Sequence, residues 1–188
     1  MRHIAAMAAT VVLILVSGLA CGEVGDAQAS TASPTLERPA HFMLAGAAPS
    51  IDALIDRLLA ALEKNDVDGL HRLRLNEDEY RTFLLPGSAQ PGHAARVYDE
   101  TTSKFAWERV NTNSVYAAAG IIRGYGGHKY KVKEVKYLKG RADYAWYTAY
   151  KTVSLTLEDE SGTEGELVLG SIADIDGQFK FISLLGNR

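Results

Sequence analysis

Four residues of a predicted strand carry the side chains best suited to hold a ligand. Tyr144, Trp146, Thr148 and Tyr150 alternate along the chain, so they share one face if residues 143–157 form a strand. Aromatic rings with hydroxyl groups among them suit a mostly apolar ligand with a polar end. The same composition also suits packing against helices, and both interpretations remain open. Tyr80 and Tyr98 are further candidates for the same ligand face.

Metal binding and nucleophilic catalysis have no recognisable signature in this sequence. The five histidines are scattered, none lies three or four residues from another, and Cys21 is the sole cysteine. Zinc sites usually draw on such residues at short spacing. The acidic stretch 158–166 lacks the alternating ligand spacing of a calcium-binding loop, and no Gly-x-Ser-x-Gly turn is present. We therefore predict no metal, no cofactor and no catalytic nucleophile.

The last third of the chain predicts the sheet on which the other elements pack. Residues 129–185 are rich in Tyr, Val, Leu, Ile and Thr between short polar turns, which is typical of four antiparallel strands. The apolar alternation changes phase near Lys133-Glu134, which indicates a β-bulge. Asp176-Gly177 is a favourable two-residue hairpin turn.

Helices are predicted upstream of these strands. Apolar residues from Ile51 to Leu62 recur at helical spacing after a possible cap at Ser50, and Asp66 is predicted to cap a second helix. Asn76 and Glu79 have the spacing of a capping box. Residues 93–109 and 114–123 form two more helical runs, or one long helix, before a glycine-rich turn. Helices followed by strands predict an α+β domain, with N-terminal helices packed on a curved four-stranded antiparallel sheet.

The first 20 residues are typical of an export signal. Arg2 precedes an apolar run over residues 4–16, and small residues follow it. The run is shorter than the roughly 20 apolar residues that a membrane-spanning helix needs. We therefore predict a signal peptide over residues 1–20, a flexible tether rich in Ala, Ser, Thr, Gly and Pro over residues 21–49, and one domain over residues 50–188.

Cys21 directly after this signal resembles the lipobox cysteine of bacterial lipoproteins. Gly18 departs from that motif, because a large aliphatic residue usually stands three positions before the cysteine. The resemblance implies lipidation of Cys21 and attachment to a membrane. Gly22, in place of an aspartate, implies the periplasmic side of the outer membrane. Secretion of an unanchored protein is the alternative.

Two stretches of the predicted domain resemble the nuclear-transport-factor-2-like superfamily, which has a cystatin-like cone and includes polyketide-cyclase-like and ketosteroid-isomerase-like proteins. The stretches are IDALIDRLLAALEKNDVDGL, from Ile51, and IADIDGQFKFI, from Ile172. The resemblance implies a cone-shaped domain with a cavity at its open end. In catalytic members an aspartate, or a His–Asp pair, lies beside a tyrosine. Residues of these types here are Asp143, Tyr144, Tyr80, Tyr98 and His71.

The net charge of the chain and its predicted fold limit the classes of function that this protein can have. The formal net charge is −3 and no Lys/Arg cluster stands out, which argues against nucleic-acid binding. The fold that the resemblance implies hosts enzymes and binding modules alike. Our leading hypothesis is a non-enzymatic, lipid-anchored module that binds a small apolar ligand or another cell-envelope protein. The alternative is an acid–base enzyme of the isomerase or dehydratase type, and homodimerisation through the sheet is also left open.

Overall fold

In the computed structural model, which describes residues 36–185, helices come first and antiparallel strands follow. This order confirms the predicted α+β class. The predicted signal peptide, Cys21 and most of the predicted tether lie outside the described residues. Among the described helices, none is both long enough and apolar enough to cross a membrane.

Helix α1 (Ile51–Glu63) begins at the predicted cap. The Ser50 hydroxyl accepts a hydrogen bond from the Ala53 amide at 3.1 Å, which satisfies one of the free N–H groups at the helix start. The apolar stripe of α1 turns inward, burying Leu54, Ile55, Leu58, Ala61 and Leu62. The sequence prediction for this helix is confirmed.

Two short helices follow, and both begin at the predicted caps. Asp66 accepts a hydrogen bond from Gly69 N at 2.7 Å at the start of α2 (Val67–Arg72). Asn76 and Glu79 cap each other reciprocally, with both bonds 2.8 Å long, at the start of α3 (Glu77–Glu79). The chain then widens into a π-helical turn over Tyr80–Leu84, in which Leu85 N donates to Tyr80 O at 2.8 Å.

The longest helix is α4 (Glu100–Tyr125), whose cap is Asp99. The two predicted helical runs form this one helix, but the predicted start at residue 93 is wrong. Residues 93–99 are not helical, because the Asp99 side chain accepts a hydrogen bond from Thr102 N at 2.8 Å and fixes the helix start there. The helix ends at Gly126, and Gly127 follows with φ of 80°, as expected for a glycine-rich helix end.

Within residues 36–185, seven strands form two antiparallel sheets. The strands are β1 (Tyr130–Tyr137), β2 (Arg141–Asp143), β3 (Thr148–Tyr150), β4 (Val153–Asp159), β5 (Glu164–Val168), β6 (Ile172–Ile175) and β7 (Gln178–Phe181). One sheet has the order β1-β4-β5 and the other β2-β3-β6-β7. The structure therefore has two sheets where the sequence predicts a single four-stranded sheet.

Local backbone geometry explains one break in the strand predicted over residues 143–157. Thr152 has φ of 52°, which is not compatible with extended backbone, and it separates β3 from β4. The register of β1 and β4 shifts between Val132 and Glu134, which confirms the predicted bulge. The Asp176-Gly177 turn is also confirmed, since both residues have positive φ, as a type I′ turn requires.

The buried apolar side chains of the described residues form two hydrophobic clusters. The first lies between α1, α2, α4 and the strands β4 and β5, with Leu58 and Leu155 among its fully buried members. The second gathers Phe83, Trp107 and Trp146 around the π-helical turn. Burial of apolar side chains supplies most of the stability of such a domain.

The segment before α1 packs against the domain. Leu44 and Ala48 are buried, and the Phe42 ring stacks on Phe83 with centroids 4.2 Å apart. Ala48 and Phe179 exchange two backbone hydrogen bonds of 3.0 and 2.9 Å. The first buried residue therefore precedes the domain boundary that the sequence predicts at residue 50.

Candidate functional site

The predicted ligand face does not form as one strand surface. Residues 144–147 make the turn between β2 and β3, where Tyr144 N donates to Tyr147 O at 2.8 Å. The prediction of a continuous strand over residues 143–157 is wrong there. Tyr150 belongs to β3 and lies near Tyr137, with ring centroids 5.0 Å apart, in the first hydrophobic cluster.

The other predicted aromatic residues gather around the second cluster. Trp146 is buried with its ring centroid 5.3 Å from that of Phe83, and Tyr80 is buried with its centroid 5.6 Å from that of Trp107. Burial raises the pKa of the Tyr80 hydroxyl above its usual range. Tyr98 is half-buried.

Tyr147, which the sequence did not single out, joins these rings. Its ring stacks on Tyr144 with centroids 4.8 Å apart. Burial, followed by the electrostatic effect of Tyr144, Tyr80 and Tyr98, raises the pKa of the Tyr147 hydroxyl well above its usual range. Most of the predicted ring-bearing residues therefore serve as packing around one tyrosine-rich cluster.

A groove of about 440 Å³ runs beside this turn, and we call it the tyrosine groove. Its lining includes the predicted residues Tyr144, Trp146 and Thr148, together with charged residues. The charged residues are Arg38, Asp143, Asp174 and Asp176.

Each carboxylate of the tyrosine groove has a hydrogen-bond partner. Thr148 Oγ1 donates to Asp143 at 2.7 Å, and this bond, with a second from Arg141, lowers the pKa of Asp143. Asp176 pairs with Arg38, and the Asp174 carboxylate accepts a bond of 3.0 Å from Gly177 N. Asp143 is exposed to solvent, so it does not have the burial that a neutral-pH general acid or base usually requires.

A second and larger cleft, of about 780 Å³, lies between α1, α2 and β7. No pattern in the sequence predicted this cleft. Five of its lining residues are cationic and only one, Asp66, is acidic. The cationic residues are Arg57, Lys64, Arg72, Arg74 and Lys180. We call it the cationic cleft, and its positive lining contrasts with the formal net charge of −3 of the whole chain.

Backbone pairing brings the two halves of the cationic cleft together. Phe181 N donates to Leu73 O, and Leu75 N donates to Phe181 O, both at 2.9 Å. These bonds join the chain that follows α2 to the last strand. They place Arg74 and Lys180 on the same cleft although 106 positions separate them in the sequence.

Lys180 forms a buried ion pair with Glu79. The Lys180 side chain is 3% exposed, and its ammonium group donates to Glu79 Oε2 at 2.8 Å and to Ala45 O at 3.0 Å. Glu79 also accepts bonds from Ala45 N and Asn76 N, at 2.7 and 2.8 Å. With both carboxylate oxygens engaged, Glu79 holds the N-terminal segment, α3 and β7 together.

Two other cations of the cleft also have partners. Arg57 Nη1 donates to the carbonyl oxygens of Gly46 and Ala47, at 2.9 and 3.1 Å. Arg72 pairs with Asp66 at 2.9 Å. Lys64 is exposed at the end of α1.

Arg74 differs from the other cations because it is buried with donors unused. Its residue is 6% exposed, Nη2 donates to Asn111 Oδ1 at 2.7 Å, and the guanidinium carbon lies 5.9 Å from the Trp107 ring centroid. Nε and Nη1 are buried without a hydrogen-bond partner in the described part of the chain. Burial lowers the pKa of Arg74.

His71, on the neighbouring turn, also has a buried polar atom that lacks a hydrogen-bond partner. Its Nδ1 atom is buried and has no hydrogen-bond partner among residues 36–185. Burial, and then the positive charge of Arg74, lower the pKa of His71, while Asp68 opposes the shift. Burial, which is the larger cause, and the charge of Arg74 therefore both favour the neutral imidazole in the cleft.

Metal ligation is not indicated within the described residues. No group of three or more His, Cys, Asp or Glu side chains there is arranged to hold a metal ion. The cleft instead concentrates hydrogen-bond donors, which suit an anion. No protein-family model, no curated protein and no solved structure matches this chain, so the site rests on its own geometry.

Proposed function

We propose that this protein is an exported, lipid-anchored module that binds a small ligand in the cationic cleft. The carrying observation is the cleft itself, because its volume of about 780 Å³ falls within the usual range for small-molecule sites. Ala60, Ala61 and Leu73 contribute apolar surface beside the polar side chains of the lining. Apolar walls with a few convergent polar groups are typical of ligand sites.

The proposed architecture around the cleft is a strongly curved sheet of the nuclear-transport-factor-2-like kind. Leu138 N donates to Thr152 O at 2.9 Å and Lys151 N donates to Gly140 O at 2.8 Å, between the segment that joins β1 to β2 and the segment that joins β3 to β4. These bonds support the proposal that both sheets are arms of one bent surface. The resemblance to that superfamily remains part of the proposal.

The anchor is proposed at Cys21, with the domain held on the periplasmic side of the outer membrane. In an export-competent bacterial host, Cys21→Ser should move the protein from the membrane fraction to the soluble fraction. Unchanged fractionation would contradict the anchor without affecting the proposed ligand site. In the same host, fractionation would detect secretion of an unanchored protein. Crosslinking would detect an envelope-protein partner, and gel filtration would detect homodimers.

The acid–base alternative has less support from the described residues. Glu79 is a buried carboxylate next to Tyr80, but its oxygens accept bonds from Ala45, Asn76 and Lys180. A carboxylate so engaged is poorly placed to exchange protons with a substrate. Binding therefore has the stronger structural argument.

A fragment screen on the full exported chain tests the proposed site. Small molecules are titrated, and backbone amide shifts are followed by NMR. We expect saturable shifts that cluster at Ala61, Gly69 and Leu73, on the walls of the cationic cleft. Shifts confined to the tyrosine groove, or no saturable binding to the cleft, would contradict the proposal.

A further inference from the structure

We infer that the cationic cleft recognises an oxyanion, a carboxylate or a phosphate group, and that Arg74 is its anchor. This inference rests on the proposed function and specifies the chemical class of the ligand. The cleft would take a small molecule that combines such a group with a short apolar body.

The charge of Arg74 is buried and has no counter-charge among residues 36–185. A buried cation is costly unless it is paired and hydrogen-bonded. Arg74 is 6% exposed, and within residues 36–185 no carboxylate lies within ion-pair distance of it. Nε carries one N–H and Nη1 carries two, and these three donors have no acceptor in that range. A bound oxyanion would supply both the acceptors and the counter-charge.

One nitrogen of the Arg74 guanidinium already has a partner in the domain. Nη2 donates to Asn111 Oδ1 at 2.7 Å, and the Trp107 ring lies 5.9 Å from the guanidinium carbon. Nε and Nη1 are shielded from solvent, so the inference includes a rearrangement of Arg74 that brings these two nitrogens to the entering anion.

Other residues of the cleft lining add to the preference for an anion. The buried His71 Nδ1 atom has no partner and can donate to an anion as its Nδ1–H tautomer, and exposed Lys64 adds positive charge. Lys180 and Arg57 already donate hydrogen bonds to other groups of the domain. Their main contribution to anion binding is therefore their positive charge. A cleft lined by one sign of charge concentrates ligands of the opposite sign.

The test uses the full exported chain and three probes at constant ionic strength. Inorganic phosphate and succinate are the anions, and succinamide is the uncharged match for succinate. Dissociation constants are measured by NMR titration for the wild type, Arg74→Met, Lys64→Glu and Lys139→Glu. Lys139 lies in an exposed turn outside the cleft lining, so Lys139→Glu repeats the charge change of Lys64→Glu at a distance.

We expect phosphate or succinate to bind saturably in the cleft and succinamide to bind at least about 10-fold more weakly. Arg74→Met should weaken anion binding about 10- to 100-fold, as expected for loss of hydrogen bonds to a charged group. Lys64→Glu should weaken it by about 2- to 5-fold, and Lys139→Glu should leave it unchanged. If Arg74→Met fails to fold, the dissociation constants of Lys64→Glu and Lys139→Glu for the anion are compared, and this comparison decides whether the anion binds in the cleft.

Three results would overturn the inference. They are equal binding of succinate and succinamide, anion binding that a folded Arg74→Met variant does not weaken, and no anion binding at all. In each case fragments that still bind the cleft would leave the proposed function standing. Loss of fragment binding as well would overturn both.

Discussion

The tyrosine groove and the cationic cleft are both lined by charged residues, four in the groove and six in the cleft, but the hydrogen-bonding groups of these residues are satisfied differently. In the groove, the acids are hydrogen-bonded, and Arg38 pairs with Asp176 at the exposed surface. In the cleft, Arg74 is buried and two of its nitrogens have no partner in the described part of the chain. Buried polar groups are nearly always paired, so such an exception needs an explanation. Unused donors, and not aromatic composition, distinguish the stronger candidate site.

The largest effect should come from a ring that the sequence placed on the ligand face. Trp146 is buried and packs closely against Gly87. A Cβ atom at position 87 would lie only 2.6 Å from the Trp146 Cβ. Trp146→Ala should lower the free energy of unfolding by about 3–5 kcal/mol, because it leaves a cavity in the second cluster. Urea denaturation measures the change. Half-buried Tyr144→Ala is the control, with a smaller expected loss of about 1–2 kcal/mol, and equal losses would contradict the assignment of Trp146 to the core.

The ion pairs of the two regions should differ nearly as much. Lys180→Met leaves the buried Glu79 carboxylate without its cation, and we expect a loss of about 3 kcal/mol. Arg38→Met removes an exposed partner of Asp176 and should cost at most about 1 kcal/mol. Comparison of the two variants by urea denaturation checks this difference. A loss for Arg38→Met as large as that for Lys180→Met would show that burial does not separate the two pairs.

Arg74→Met should change stability far less than Lys180→Met, although both residues are buried cations of the same cleft. The substitution removes the bond to Asn111, but it also removes a desolvated charge and its unused donors. These effects oppose each other, so the free energy of unfolding should change by about 1 kcal/mol or less. Thermal and urea unfolding measure the change. A loss near 3 kcal/mol would contradict this prediction and would show that Arg74 stabilises the domain in the absence of a ligand.

The smallest effect should be a pH dependence carried by His71. Its folded pKa is lowered by burial and by Arg74, with Asp68 opposing, so the unfolded chain binds the proton more tightly. The contribution of neutral His71 to stability is therefore complete above the ordinary pKa of about 6.5 and is lost as pH falls through that value toward the folded pKa. Between pH 7.5 and 5.5, wild-type stability should fall more steeply than that of His71→Gln. Parallel curves would contradict this prediction.

Features that depend on neighbouring residues were predictable from the sequence. The Ser50 and Asp66 caps, the capping box and the Asp176-Gly177 turn each involve residues within a few positions of one another. Their physical causes are local hydrogen bonds and local backbone geometry, so the sequence carries them directly.

Features that depend on distant residues were not predictable in the same way. The alternation of Tyr144 and Trp146 indicated a strand, but the hairpin turn falls on these residues because Asp143 pairs with Thr148. The cationic cleft requires the chain after α2 to pair with β7, far away in the sequence. The signal for this cleft in the sequence was the position of Arg74 between two leucines, Leu73 and Leu75, which are both buried in the structure. Such a placement indicates a buried charge but does not reveal what surrounds it.

The most direct measurement of the central claim is the NMR signal of the Arg74 Nε–H group during titration with inorganic phosphate or succinate at constant ionic strength. Assignment comes from its loss in Arg74→Met. The account predicts that this signal shifts saturably with the anion, with the same dissociation constant as the cleft amides, and does not respond to succinamide. An Arg74 signal that stays in place while the anion binds elsewhere, or that moves equally with succinamide, would contradict the account.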